Sequence, residues 1–267
     1  MKKKILTICL IVALAATAII GGTLAYFTDK AEATNTFTAG GVKIELIEQQ
    51  SNEDHTGFVP YEGDKVLMPI VGSAQGEKYP NGQPKAANYI DKVVTIQNTG
   101  KSAAWIRAYY AVPSALDDGF GESFNAGMNI LHGNFGNKFN EDGTLVTTYE
   151  NEWKWKNNGK WQYFETVMDG VSYNVYFADY YQPVAAGDTT AQFISGVYLD
   201  KNVDMKDGKY IDPRHPDADL SILKGTVNYP VFAVAVQAEG FDNATDAMKA
   251  AFGDNYNPWG TPASNWQ

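Results

Sequence analysis

Three histidines, His55, His132 and His215, are the only imidazoles in a chain of 267 residues, and their placement decides what metal chemistry the sequence offers. A zinc endopeptidase needs two histidines one helical turn apart with a glutamate beside the first, so that ligands and base share one face. No His-Glu-x-x-His occurs; the three histidines stand far apart in stretches rich in Gly, Asp or Pro. They read as exposed loop residues. No Gly-x-Ser-x-Gly elbow is present, and Gly119-Phe120-Gly121 lacks the third glycine of a dinucleotide loop. Asp200, Asn202 and Asp204 alternate as oxygen ligands of a calcium loop do, with Asp207-Gly208 shortly after. Met205 and Ile211 stand where an EF-hand needs Gly and Glu, so a solvated turn between strands is the better reading. No catalytic residue, cofactor or metal ligand set is assigned, and the chain reads as a non-enzyme.

Rings offer a second chemistry. Residues 151–165 (NEWKWKNNGKWQYFE) carry Trp153, Trp155, Trp161 and Tyr163 on the arms of a hairpin with Asn158-Gly159 at its tip. Such a row could stack on sugar, and it resembles a single cell-wall-binding repeat. Those repeats act as arrays and this one stands alone, so core packing is the favoured role and sugar stacking the runner-up. Asn243-Ala244-Thr245 fits a glycosylation sequon, but a helix cap explains the same residues. Arg107, among aromatic strand residues, reads as an outward charge or a cation–π partner of Trp105 or Tyr109.

Strands must position these groups. Aromatics make up 13% of the chain, with 16 Tyr against 6 Met, a bias that favours sheet over helix. Residues 42–46 alternate as a half-buried strand does, and residues 48–87 are too broken by Gly and Pro for long elements. Residues 92–97 and 104–112 read as antiparallel neighbours across Asn98-Thr99-Gly100-Lys101. Further strands are expected at 173–178, 190–199 and 226–238, with Pro230 marking an edge or bulge. One helix is expected at 244–252, capped by Asn243 or Asp242 and stopped by Gly253. The pattern implies an all-β fold, a jelly-roll-like antiparallel β-sandwich with long loops and one short C-terminal helix. The divisions are residues 1–25, 26–40, 41–254 for the sandwich, and a tail, 255–267, without an apolar anchor.

The first division reads as a secretory signal peptide: Lys2, Lys3 and Lys4 precede an apolar run over residues 5–20, then Gly21-Gly22. The expected cut lies between Ala25 and Tyr26. It removes three lysines, no acid and Cys9, the single cysteine, so the exported chain is more acidic than the whole chain's −10 and has no thiol chemistry. An acidic chain is a poor partner for nucleic acid.

The leader ending Gly21-Gly22-Thr23-Leu24-Ala25-Tyr26-Phe27-Thr28-Asp29, then Asn35-Thr36-Phe37-Thr38-Ala39-Gly40 and the strand from Val42, resembles the start of TasA and camelysin family proteins. Looser agreement follows at residues 94–107, 183–190 and 234–241. The resemblance implies export with a SipW-type signal peptidase and a secreted jelly roll that polymerises head to tail into fibres of the biofilm matrix or cell surface. It further implies an extended N-terminal segment, here with Tyr26, Phe27, Thr34 and Phe37, that completes a sheet of the next subunit. Other matrix proteins and cell-wall glycan are the further partners it suggests. Camelysins are described as metalloendopeptidases, an activity for which these residues offer no ligand motif.

Overall fold

The computed structural model describes residues 28–32, 35–36, 41–63, 65–74, 76–117, 129–135, 152–154, 156–157, 160–161 and 163–260. In chain order the strands are β1 (Thr28–Glu32), β2 (Asn35–Thr36), β3 (Ile44–Ser51), β4 (Phe58–Pro60), β5 (Ile90–Asn98), β6 (Ala104–Pro113), β7 (Leu131–Phe135) and β8 (Trp153–Lys154). They continue as β9 (Lys156–Asn157), β10 (Lys160–Trp161), β11 (Tyr163–Met168), β12 (Val171–Tyr180), β13 (Ile194–Leu199), β14 (Asp204–Lys206), β15 (Lys209–Ile211) and β16 (Val231–Gln237). The helix α1 (Ala244–Phe252) follows.

A large antiparallel sheet has the order β11-β12-β6-β16-β1-β2, with β8 also paired to β12, and a small one the order β4-β3-β5-β13-β7. Their facing sides bury Ile44, Val94, Ile96, Ile106, Tyr110, Tyr176 and Phe193. The expected antiparallel sandwich is therefore present; jelly-roll wiring is a finer statement than these pairings make. The large sheet is covered on its other face too. There Trp105, Tyr109, Phe177, Phe232 and Val234 pack under Ala247 and Met248 of α1. This is why β6 is buried along its whole length and lacks a polar face.

Several expectations are corrected. Strands β5 and β6 are not neighbours: β5 pairs with β3 and β13, and β6 with β12 and β16. The connection crosses between sheets because its polar groups are engaged elsewhere. Asn98 donates its side-chain amide to the carbonyls of Ser102 and Val184, and the Gly100 amide donates to Lys43. Glycine is needed at 100 for close approach, since a Cβ there would lie 2.6 Å from the Gly41 carbonyl oxygen.

The segment after α1 has apolar anchors. Tyr256 and Trp259 stand 6.3 and 6.5 Å from Tyr109 between ring centroids, and buried Asn257 donates to the Thr166 hydroxyl at 2.8 Å. Arg107 is not outward but buried, paired through Nε and a terminal nitrogen with Asp179 at 2.5 and 2.9 Å. Its guanidinium lies 4.6 Å from the Phe177 centroid, and Thr245 of α1 donates to the same carboxylate.

The helix ends are as expected. Asn243 caps α1 by accepting from the Asp246 amide, and Gly253 ends it at φ 82°. The hairpin expected over 151–165 is present in part: Lys156 and Asn157 pair with Trp161 and Lys160, whereas Trp153 of β8 and Tyr163 of β11 both pair with β12. Pro230 differs from expectation: it marks neither an edge nor a bulge but immediately precedes β16, which is flanked by β6 and β1 in unbroken register.

Candidate functional site: a terminal strand on the large sheet

Strand β16 is apolar along most of its length (VFAVAVQ), and its two flanks differ in kind. On one side it pairs with β6 from Val231↔Tyr110 to Gln237↔Ala104. On the other it pairs with β1, in antiparallel register from Glu32↔Phe232 to Thr28↔Val236. The β1 sequence is TDKAE, with one small apolar residue among five. The ladder to β16 is made of main-chain hydrogen bonds, which any chain of suitable register can supply. The two residues of β2 then pair with the end of β1, Ala31↔Thr36 and Glu32↔Asn35.

The segment expected to reach another subunit thus forms strand in its own large sheet over 28–32 and 35–36. Tyr26, Phe27, Thr34 and Phe37, with the expected leader and its Ala25–Tyr26 junction, lie outside the described residues.

Polar clusters lie elsewhere in the fold. The most developed joins β7, β13 and the loop after β15. His132 Nε2 stands 2.9 Å from Asp200 Oδ2, Arg214 lies 3.0 Å from Asp200 Oδ1, and the same guanidinium bonds Asp212 at 2.5 Å. The His132 ring stacks on Tyr198 at 4.8 Å. Burial pushes the His132 pKa below the ordinary imidazole value, against the pull of Asp200. Burial disfavours ionised Asp212, but the hydrogen bonds and charge of Arg214 outweigh it and hold the carboxyl below its usual range.

His132 is therefore no exposed loop histidine; it sits on a strand with its side chain 12% exposed. His55 is half-buried, stacked on Tyr79 at 3.8 Å. No short spacing signals the cluster: the pairing of β7 with β13 brings His132 to Asp200, and the loop after β15 adds Arg214 and Asp212.

This donor set does not fit a catalytic zinc. The Asp200 carboxylate accepts from Asn202 and Arg214 and meets His132, so a fixed cation stands where a metal would bind. Among the described residues no group of three or more His, Cys, Asp or Glu could hold a metal ion. The calcium-like residues span the turn between β13 and β14, which is not fully solvated, since Asp200 is buried and accepts from Asn202; β14 and β15 form a separate hairpin around Asp207 (φ 51°) and Gly208 (φ 72°).

A second cluster, Asp117 accepting from Asn174 at 2.7 Å and from the Tyr176 hydroxyl, ties β12 to the segment after β6. Trp153 is 2% exposed, packs against Tyr180 and Phe193, and donates its indole N–H to the Ala191 carbonyl at 3.1 Å. Its role is core packing, not sugar stacking. The side chains of Trp155, Trp161 and Tyr163 lie outside the described residues.

The fold and this border together define an all-β sandwich protein whose large sheet carries a polar strand from near the chain's N-terminus. Residues 1–52 match the model of a family described as Camelysin metallo-endopeptidase. That span holds the most specific motif of the resemblance to TasA and camelysin proteins, along with β1, β2 and β3, and the resemblance is shown there. No curated protein and no solved structure matches the chain.

Proposed function

We propose that the chain is a secreted structural subunit of extracellular or biofilm-matrix fibres, released by a SipW-type signal peptidase between Ala25 and Tyr26 and assembled head to tail by strand exchange. The observation that supports this reading is the seat of β1 on β16. Cleavage after Ala25 puts β1 close to a free chain end, so it can leave without threading through the fold. A neighbour's β1 then makes the same hydrogen bonds in the same register. Bonds broken and formed are alike, so exchange costs little beyond ordering the linking segment. A vacated β16 border exposes a row of unpaired N–H and C=O groups, which a donated strand satisfies. Because donor and acceptor surfaces differ, the contact propagates into a filament instead of closing on itself.

The register supplies the test. With Cys9 lost in the leader, Ala31→Cys with Ala233→Cys gives an exported chain carrying two cysteines on paired residues. Oxidised filaments should run as covalent ladders on a denaturing gel. Filaments that yield only internally bridged monomers would overturn the exchange.

A second reading follows from the family's name. For a metalloendopeptidase, purified protein should hold stoichiometric metal and cleave casein until a chelator is added. The engaged Asp200 carboxylate favours the structural role.

A further inference from the structure

Three layers converge at one end of the molecule around a cleft of about 420 Å³. The small sheet contributes Glu48 and Lys92, the large sheet contributes the turn after β11 and the lead-in to β16, and the segment after α1 contributes Trp259. The two charges occupy inward positions. Side chains alternate along a strand, so Glu48 shares a face with buried Ile44, and Lys92 with buried Val94 and Ile96. They form a 2.8 Å ion pair whose side chains are 19% and 11% exposed. A sequence that only closed the core would place apolar residues there.

The opposite wall is aromatic and amide. The hydroxyl of buried Tyr173 hydrogen-bonds the side chain of exposed Asn228, and burial raises its pKa. Trp259 is half-buried: its ring meets Phe232 edge-on at 6.0 Å, and its position is set by Asn257, which is anchored on Thr166. At the rim, Asp169 (φ 49°) and Gly170 (φ 79°) form the two-residue turn between Met168 and Val171. That turn leaves Asp169 exposed at the rim.

We propose that this cleft binds an oligosaccharide of uncharged pyranose units. The half-buried indole of Trp259 suits the C–H face of a sugar, while exposed Asp169 and Asn228 supply an acceptor and an amide for hydroxyl groups. Glu48 neutralises Lys92, which leaves the Asp169 charge to repel uronate and phosphate groups. The assignment does not rest on fibre assembly.

Titration calorimetry of the exported chain with tetrasaccharides of glucose, of N-acetylglucosamine and of galacturonic acid tests the assignment. At least one of the first two should bind with a Kd of about 1 mM or below, and the uronic acid should not. Trp259→Ala should weaken binding by about tenfold or more. That variant also loses a contact with Phe232, so Asp169→Asn is the control for folding: asparagine accepts a left-handed backbone, and its loss of affinity should come with an unchanged melting temperature. No binding of either uncharged sugar, binding of the uronic acid alone, or wild-type affinity in both variants would overturn the proposal.

Discussion

Strand β16 lies between two neighbours that hold it by different physics. β6 (AWIRAYYAVP) is buried at every position and contributes rings and branched side chains to the layers on both faces of the sheet. β1 (TDKAE) offers the same kind of backbone ladder with one small apolar residue. A neighbour held by packing is part of the folding unit, because removing it takes the core with it. One held by main-chain hydrogen bonds can be traded for an identical strand from another molecule. The proposed strand exchange needs this contrast: a sheet kept stable by one neighbour of β16 while the other is replaced.

Substitutions that cripple β6 should separate sharply from those in β1. The largest effect is expected for Arg107→Ala, which leaves Asp179 buried without its cation and should cost about 3–5 kcal/mol in urea unfolding. Ile106→Ala, which removes a fully buried side chain between the sheets, should cost about 2–5 kcal/mol in the same measurement. Asn243→Ala removes the α1 cap and should cost about 0.5–2 kcal/mol, a lower melting temperature with the fold intact.

Deleting residues 26–37 should behave in the opposite sense. It should leave a folded monomer with a melting temperature close to wild type and no filaments by electron microscopy. Normal filaments from the truncated chain, or its global unfolding, would erase the distinction between the two flanks.

The smallest effect concerns pH. The folded-state pKa of His132 lies below its ordinary value of 6.5, so the unfolded chain takes up the proton first as pH falls. This residue's contribution is complete above pH 6.5 and is lost as pH falls from there through its folded value. His132→Gln should flatten that part of the stability–pH curve. Asp212 adds a separate decline at more acidic pH: its carboxyl is held below the usual range, so its contribution is lost as pH falls through the folded value.

Much of the local structure was legible because it follows from short-range rules. The cap and stop of α1, the hairpin around Asn158-Gly159 and the strands β12, β13 and β16 follow from side-chain chemistry within a few residues. One such signal was missed. Asp169-Gly170 has the composition of a tight hairpin turn, and its arms are β11 and β12. Asn98-Thr99-Gly100 misled in the other direction, since a glycine there reads as a turn although its function is to let residues 41–43 approach.

What the sequence determined alone is the all-β class, the helix and its ends, and the polar character of residues 28–32, since each depends on residues close in the chain. The tertiary structure decided which sheet each strand joined. It also decided that Arg107 faces Asp179 across 72 positions of sequence, that His132 meets Asp200 across 68, and that a cleft draws on three layers. These are meetings of side chains far apart along the chain, set by strand register and by the burial of both faces of one sheet. No periodicity or short spacing encodes such a meeting before the chain has folded.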